Sequence, residues 1–115
     1  MNLNTQSEQN VVLSDDVIAK MVSVAATEID GVCELVPNPD IKSIIASKSR
    51  RAVDVHITQD SMVIDLHVKL KSGVNIVSLC NAVQENVKKT VQNMTGHAVS
   101  KVNVFVVDID TATEE

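Results

Sequence analysis

The segment from Val53 to Leu70 limits the fold more than any other stretch of the chain. Apolar and polar residues alternate along both of its halves, which is the period-two pattern of half-buried β-strands. A two-residue turn at Asp60-Ser61 brings both halves into agreement in one register. Because the apolar residues then share a face, the segment predicts an antiparallel hairpin that buries one side.

This register sorts the side chains of the two strands into two sets. One set is apolar and is predicted to lie on a hydrophobic core, whereas the other is mainly polar and is predicted to face outward. The apolar pairs are Val53 with Val68, Val55 with Leu66 and Ile57 with Ile64; the outer pairs are Asp54 with His67, His56 with Asp65 and Thr58 with Val63.

An amphipathic helix is predicted between Ser72 and Gly96, directly after the hairpin. Its apolar stripe is about 120° wide, which suits a helix that lies on a sheet. Cys80 falls inside this stripe and has no histidine near it in sequence. Since a catalytic thiol needs a base within reach, Cys80 is predicted to be structural. The stripe contains Ile76, Leu79, Cys80, Val83, Val87, Thr90, Val91 and Met94.

An earlier helix is predicted to begin after Ser14, which is the last residue of a short strand-like run at residues 10–14. Ser14 can cap the first-turn amides, and the acidic residues Asp15 and Asp16 complement the helix dipole. Gly31 is predicted to be the left-handed stop at the C-terminus of this helix. The predicted apolar face contains Ile18, Met21, Val22, Ala25 and Ile29, widened by Val17 and Val24.

A last strand, Lys101 to Ile109, completes the order β-α-β-β-α-β. This order predicts an α+β fold, a two-layer sandwich in which two helices cover one face of a four-stranded sheet, as in split β-α-β or ferredoxin-like domains. Residues 10–109 are predicted to form a single domain between a disordered tail at 1–9 and an acidic disordered tail at 110–115. The connection at residues 36–51 either stays extended or contains a helical turn at 41–45.

Composition excludes several classes of function. A net charge of −5 argues against general nucleic-acid binding, and a single Phe without Trp or Tyr leaves few stacking platforms. Three glycines cannot build a phosphate-binding loop, and no known catalytic motif is present, so we expect neither an enzyme nor a cofactor. The sequence shows no signal peptide and no apolar run of about 20 residues, which predicts a cytoplasmic protein without a membrane span.

Two polar clusters are candidate sites. The outer face of the hairpin could bind a metal ion through imidazole and carboxylate groups, or could carry ordinary cross-strand pairs. A basic cluster could bind RNA or anionic lipid headgroups, or could form a solvated loop. The metal candidates are Asp54, His56, Asp65 and His67; the basic residues are Lys42, Lys48, Arg50 and Arg51 in the connection, with Lys69 and Lys71 at the end of the hairpin.

Apolar residues on the last strand form a third candidate site. Val102 and Val104 are predicted to face the helices, so the alternate residues Phe105, Val107 and Ile109 point outward beside Val63. An exposed apolar patch usually marks an interface, so these four residues are candidates for self-association or partner binding. Alternatively, the N-terminal tail or the long connection folds over them.

Two segments resemble a known family. The first, VVLSDDVIAKMVSVAATEIDGV, covers residues 11–32, and the second, SGVNIVSLCNAVQENVKKTVQNMTGHAVSKVNVFVVDI, covers residues 72–109. They are similar to the strand-helix unit and the second half of the alkaline shock protein family, envelope stress-response proteins found chiefly in Gram-positive bacteria. Two departures are Ser72, where an aromatic residue is common, and the distinct connection at 37–51.

The resemblance implies a small, non-enzymatic cytoplasmic protein linked to cell-envelope homeostasis. Members of the family can self-assemble, and some are held at the inner face of the membrane by an integral partner. We therefore expect an interaction or scaffold protein whose partners are itself, a membrane-anchored protein, or both, without a small-molecule substrate. The alternative is a nucleic-acid or anionic-surface binder that uses the connection from Lys42 to Arg51.

Overall fold

The computed structural model of the chain describes residues 13–37 and 52–111. Within them, two helices lie on one face of a four-stranded sheet, which confirms the predicted α+β class and its two layers. The elements in chain order are α1 (Asp15–Thr27), β1 (Val32–Leu35), β2 (Val53–Ile57), β3 (Met62–Lys71), α2 (Ile76–Thr95) and β4 (Val99–Asp110).

Strand β3 is the centre of the sheet. Strands β1 and β2 pair antiparallel with the same edge of β3, one after the other, and β4 pairs parallel with the opposite edge. His67 marks the junction between β1 and β2, because its N–H donates to Ala52 O and its carbonyl accepts from Val36 N–H, both at 3.0 Å. The parallel pair needs a crossover connection, and α2 provides it.

The boundaries differ from the predicted ones at several places. Helix α1 ends at Thr27, before the predicted stop at Gly31, and the last strand begins at Val99, two residues before the predicted Lys101. Strand β1 was not predicted, and Leu13 and Ser14 lie outside any strand. Strand β4 continues through Asp110, one residue into the predicted acidic tail. The rest of the predicted first strand, the predicted helical turn at 41–45, and residues 1–9 and 112–115 lie outside the described residues.

The hairpin forms, but its predicted register is wrong by two residues. Val53 lies opposite Leu66 and Ile57 lies opposite Met62. The reason is the loop, where Thr58 N–H donates to Ser61 O at 2.8 Å and Thr58 Oγ1 accepts from Ser61 N–H at 3.1 Å. These bonds close the strands one residue earlier than a turn at Asp60-Ser61 would. Because the shift is an even number, every side chain keeps its predicted face.

The core is aliphatic and lies between the sheet and the helices. Strand β3 contributes alternate residues from Ile64 to Leu70, all fully buried, and α2 contributes a row at i, i+4 spacing from Leu79 to Val91. Burying one such side chain stabilises the fold by about 1.5–3 kcal/mol. The fully or nearly fully buried residues of these two elements are Met62, Ile64, Leu66, Val68 and Leu70 on β3 and Leu79, Val83, Val87 and Val91 on α2.

The helices bury narrower stripes than the sequence predicts. On α1, Val17 and Val24 are 41% and 59% exposed, although both were assigned to the apolar face. On α2, Ile76 and Met94 are exposed, because the buried stripe is limited to the i, i+4 row from Leu79 to Val91. The predicted N-cap is correct, since Ser14 Oγ accepts from Val17 N–H at 3.2 Å.

Candidate interaction surface

The outer face of the sheet is the side opposite the two helices. Its centre is formed by alternate residues of β3 and the neighbouring residues of β4. The parallel register places Asp65 opposite Asn103 and His67 opposite Phe105. We define the outer face by Val63, Asp65, His67 and Lys69 on β3, Asp54 and His56 on β2, and Lys101, Asn103, Phe105, Val107 and Asp108 on β4.

A stacked pair of rings lies at the middle of this face. The rings of His67 and Phe105 have centroids 5.0 Å apart and planes inclined by 18°. His67 is only 7% exposed, and its Nδ1 lies 3.3 Å from Ala52 O. Phe105 is 46% exposed, so one side of its ring covers the histidine while the rest faces outward. The chain's single aromatic residue is therefore held in place and still accessible.

The four predicted metal candidates do not form one cluster. Asp54 lies opposite Asp65 rather than His67, because the hairpin register is shifted. Asp65 is already engaged: its Oδ1 accepts from Asn103 Nδ2 at 2.7 Å, and its Oδ2 lies 3.5 Å from His56 Nε2. Within residues 13–37 and 52–111, no group of three or more His, Cys, Asp or Glu side chains is arranged to hold a metal ion.

A β-bulge changes the predicted apolar patch. Val68 lies opposite Val106 and Lys69 lies opposite Asp108, so Val107 is an extra residue on β4. After the bulge the alternation is reversed, and Ile109 lies opposite Leu70 and packs against the buried core. The predicted outward position of Ile109 is therefore wrong. Phe105 and Val107 remain on the outer face, with Val63 on β3.

Only two of the six residues of the predicted basic cluster lie within the described part of the chain. Lys42, Lys48, Arg50 and Arg51 lie outside the described residues. The other two lysines have acidic neighbours, because Lys69 lies opposite Asp108 and Lys71 lies opposite Asp110. The end of the sheet therefore mixes both signs of charge, and the surface-binding alternative depends on the undescribed connection.

The two thiols are shielded rather than activated. Partial burial raises the pKa of the Cys33 thiol, the nearby Asp110 carboxylate raises it further, and Lys69 and Lys71 oppose this effect. Cys33 Sγ also donates to Asp110 Oδ2 at 3.7 Å. Burial alone raises the pKa of the Cys80 thiol. A thiol with a raised pKa is a weak nucleophile at neutral pH, which agrees with the structural role predicted for Cys80.

Two glutamines of α2 contact the edge of β4 that faces away from β3. Gln84 Nε2 donates to Val102 O at 2.9 Å, and Gln92 Oε1 accepts from Val99 N–H at 3.0 Å. Sequence reasoning missed both contacts. Their i, i+8 spacing beside the apolar stripe places them along one flank of the helix, but it does not say which strand lies there.

The fold and the outer face define a small two-layer α+β domain with an apolar centre on the sheet face that neither described helix covers. The chain belongs to the family of alkaline shock protein 23, which is the alkaline shock protein family and has a cell envelope-related function; the sequence model of this family matches residues 3–111. This finding confirms the resemblance of the two segments.

Individual relatives agree with the family assignment. The chain is 30% identical over 110 residues to the uncharacterized protein YqhY of Bacillus subtilis (strain 168), covering 91% of this chain and 82% of that protein. It is 34% identical over 107 residues to the uncharacterized protein Spy1614 of Streptococcus pyogenes serotype M6, and this match covers 89% of this chain and 88% of that protein.

Solved structures with the same fold include the copper form of the MamM CTD. That structure has a TM-score of 0.53 and 9% sequence identity, and the match covers 87% of this chain and 91% of that one. This likeness concerns the fold, which is of the ferredoxin-like type. Within the described residues, no helix has the length and apolar character needed to cross a membrane.

Proposed function

We propose that this chain is a non-enzymatic interaction or scaffold protein of the cell-envelope stress response. It binds protein partners through the outer face of its sheet, centred on Phe105. The partners are a second copy of the chain and a membrane-anchored protein that holds it at the inner face of the cell membrane. The family's cell envelope-related function supports the process, and the outer face supports the mode of action.

One observation carries the proposal, namely the exposure of Phe105. The chain has one aromatic residue, and it is 46% exposed on the sheet face away from the core. Aromatic side chains bury a large apolar area on binding and often anchor protein interfaces. Because Phe105 is stacked on His67, its ring is already ordered, so binding it costs little further side-chain entropy.

The surroundings of Phe105 have the composition of an interface. Val63 and Val107 extend the apolar centre, whereas Lys69, Lys101 and Asp108 form a charged rim. A dry apolar centre with a polar rim is the usual anatomy of a protein interface. A scaffold role also agrees with the two shielded thiols, since neither is activated for covalent chemistry.

The test is affinity capture from a Gram-positive extract with membranes retained. Phe105→Asp places a charge at the centre of the outer face, and Met94→Asp is the matched control, because Met94 is exposed on α2. We expect the native chain and Met94→Asp to recover the same membrane-associated partners and Phe105→Asp to lose them. Equal recovery by all three, with unchanged circular dichroism, would refute the outer face as the binding surface.

A further inference from the structure

The free edge of β4 offers a run of backbone groups for pairing with another strand. Strand β3 pairs with one edge of β4, and among residues 13–37 and 52–111 no strand pairs with the other. Gln84 and Gln92 bond to Val102 and Val99 at the start of that edge. From Val102 to the bulge at Val107, the edge presents donors and acceptors of the kind that recruit a further strand.

The hydrogen bond from Gln84 fixes which residues face this edge. Val102 O accepts from Gln84, so the carbonyl of Val102 points away from β3. In a parallel strand the pointing direction alternates, and therefore Val104 and Val106 also point to the free edge while Phe105 points to β3. The bulge at Val107 shifts this alternation by one residue. The carbonyl of Asp110 therefore points to β3, where it accepts from Ser72 N–H.

We propose that two copies of this chain pair antiparallel through the free edges of β4, with the twofold axis at Phe105. Val104 of each copy then exchanges both backbone hydrogen bonds with Val106 of the other. This register uses the edge-facing backbone groups of β4 between Val102, whose carbonyl is bonded to Gln84, and the bulge at Val107. An axis at Val104 would need the Val102 carbonyl that Gln84 occupies, and an axis at Val106 would place the bulge inside the pairing.

The exposed aromatic ring is covered in this arrangement. At the axis the two Phe105 residues form a non-hydrogen-bonded pair, with Cα atoms about 4.5 Å apart and side chains on the same face. Each ring keeps its own His67 on one side and meets the other Phe105 on its outer side. The inference rests on the proposed function, because it assigns the second copy as one partner of the same outer face.

Charge complementarity selects a second copy in antiparallel orientation. Strand β4 carries Lys101 near its start and Asp108 and Asp110 at its end. Lys101 also lines a surface cavity together with Lys88 and Glu85. Antiparallel pairing places the acidic end of each strand beside the basic start of the other. Parallel pairing would instead bring like charges together, which is destabilising.

Sedimentation velocity of the full chain over a concentration series tests the pairing. We expect a dimer for the native chain and for Met94→Asp, and a monomer for Phe105→Asp. Lys101→Asp and Asp108→Lys should each weaken the dimer about tenfold, because two symmetry-related pairs are affected, and the double variant should restore it. A native monomer throughout the series, or a dimer insensitive to Phe105→Asp, would overturn the proposal.

Cysteine cross-linking tests the register. In a Cys33→Ser, Cys80→Ser background, Phe105→Cys should form a disulfide-linked dimer on oxidation. Asn103→Cys should not, since the two copies of residue 103 are about 13 Å apart in this register and a disulfide cannot span more than about 7 Å. Cross-linking at position 103 instead of 105 would overturn the assigned axis.

Two outcomes distinguish this inference from the proposed function. If the native chain is a monomer but loses membrane-associated partners on Phe105→Asp, the pairing fails and the membrane-anchored partner of the proposed function stands. If the dimer forms as described but Phe105→Asp leaves partner capture unchanged, the pairing stands and the wider function fails.

Discussion

Replacing Gly31 with alanine tests whether the passage from α1 to β1 depends on a conformation that only glycine adopts easily. Gly31 has a φ of 107°, and an added Cβ would lie 3.0 Å from Leu79 Cδ2 and 3.3 Å from Val74 Cγ1. The backbone strain costs about 2 kcal/mol. Displacing the packed Leu79 side chain adds about 1 kcal/mol, and the loss of chain entropy in the unfolded state offsets about 0.7 kcal/mol. We therefore expect Gly31→Ala to lower the free energy of unfolding by about 2–2.5 kcal/mol.

The matched control is Gly73→Ala. Gly73 also has a positive φ, 84°, but an added Cβ would meet no atom within 4 Å. We expect Gly73→Ala to lower the free energy of unfolding by about 1 kcal/mol, because only the backbone strain applies and the lost entropy of the unfolded chain offsets part of it. Urea unfolding followed by far-ultraviolet circular dichroism measures both, since the chain has no Trp or Tyr for fluorescence. If Gly31→Ala costs no more than Gly73→Ala, the contact with Leu79 does not contribute and the reasoning is wrong.

Two further predictions concern the helix contact and the half-buried thiol of Cys80. Asn86→Ala should destabilise the chain by about 1–2 kcal/mol in urea unfolding, because Asn86 Nδ2 donates to Ala25 O at 2.7 Å and to Glu28 Oε1 at 3.0 Å and thereby links the helices. Unchanged stability would contradict that link. The raised pKa of the Cys80 thiol means that the unfolded chain loses this proton first as the pH rises. Its contribution to stability is therefore complete below the ordinary thiol pKa of 9.0 and is lost as the pH rises through the folded pKa, so Cys80→Ser should flatten the fall in unfolding free energy above this pH. An equal slope in both chains would argue against it.

The fold class was predictable because its signals are local. The alternation from Val53 to Leu70 and the i, i+4 row of α2 each fix a buried face without knowledge of the rest of the chain. Capping by Ser14 was also correct, since it depends on a few adjacent residues. Gly31 has a positive φ as predicted, but it is not the stop of the helix, because α1 already ends at Thr27 with Glu28 as its right-handed C-cap. The hairpin register was not predictable to the residue. The Thr58 hydroxyl closes the loop earlier than an Asp-Ser turn would, and competing turns of similar energy are hard to rank from sequence.

The candidate surface was predictable in part. Phe105 and Val107 were assigned to the outer face by alternation, and that alternation holds up to the bulge. Ile109 was misplaced because the bulge arises from the pairing of β4 with β3, a contact between strands that are distant in sequence. The burial of His67 under Phe105 has the same origin, since the two residues are 38 positions apart and meet only through the parallel register.

The sequence by itself determined the two helices, the hairpin, the last strand, the aliphatic core and the family, because these follow from local periodicity and from residue patterns that relatives share. Tertiary structure decided which strands are neighbours, where the bulge lies, and which backbone edge has no partner among the described strands. Those features depend on pairings between distant segments, whose energies are set by register and by side chains such as Gln84 that reach from one element to another. The stacked ring of Phe105 and the free edge beside it are the result, and they are the features on which the proposed interactions depend.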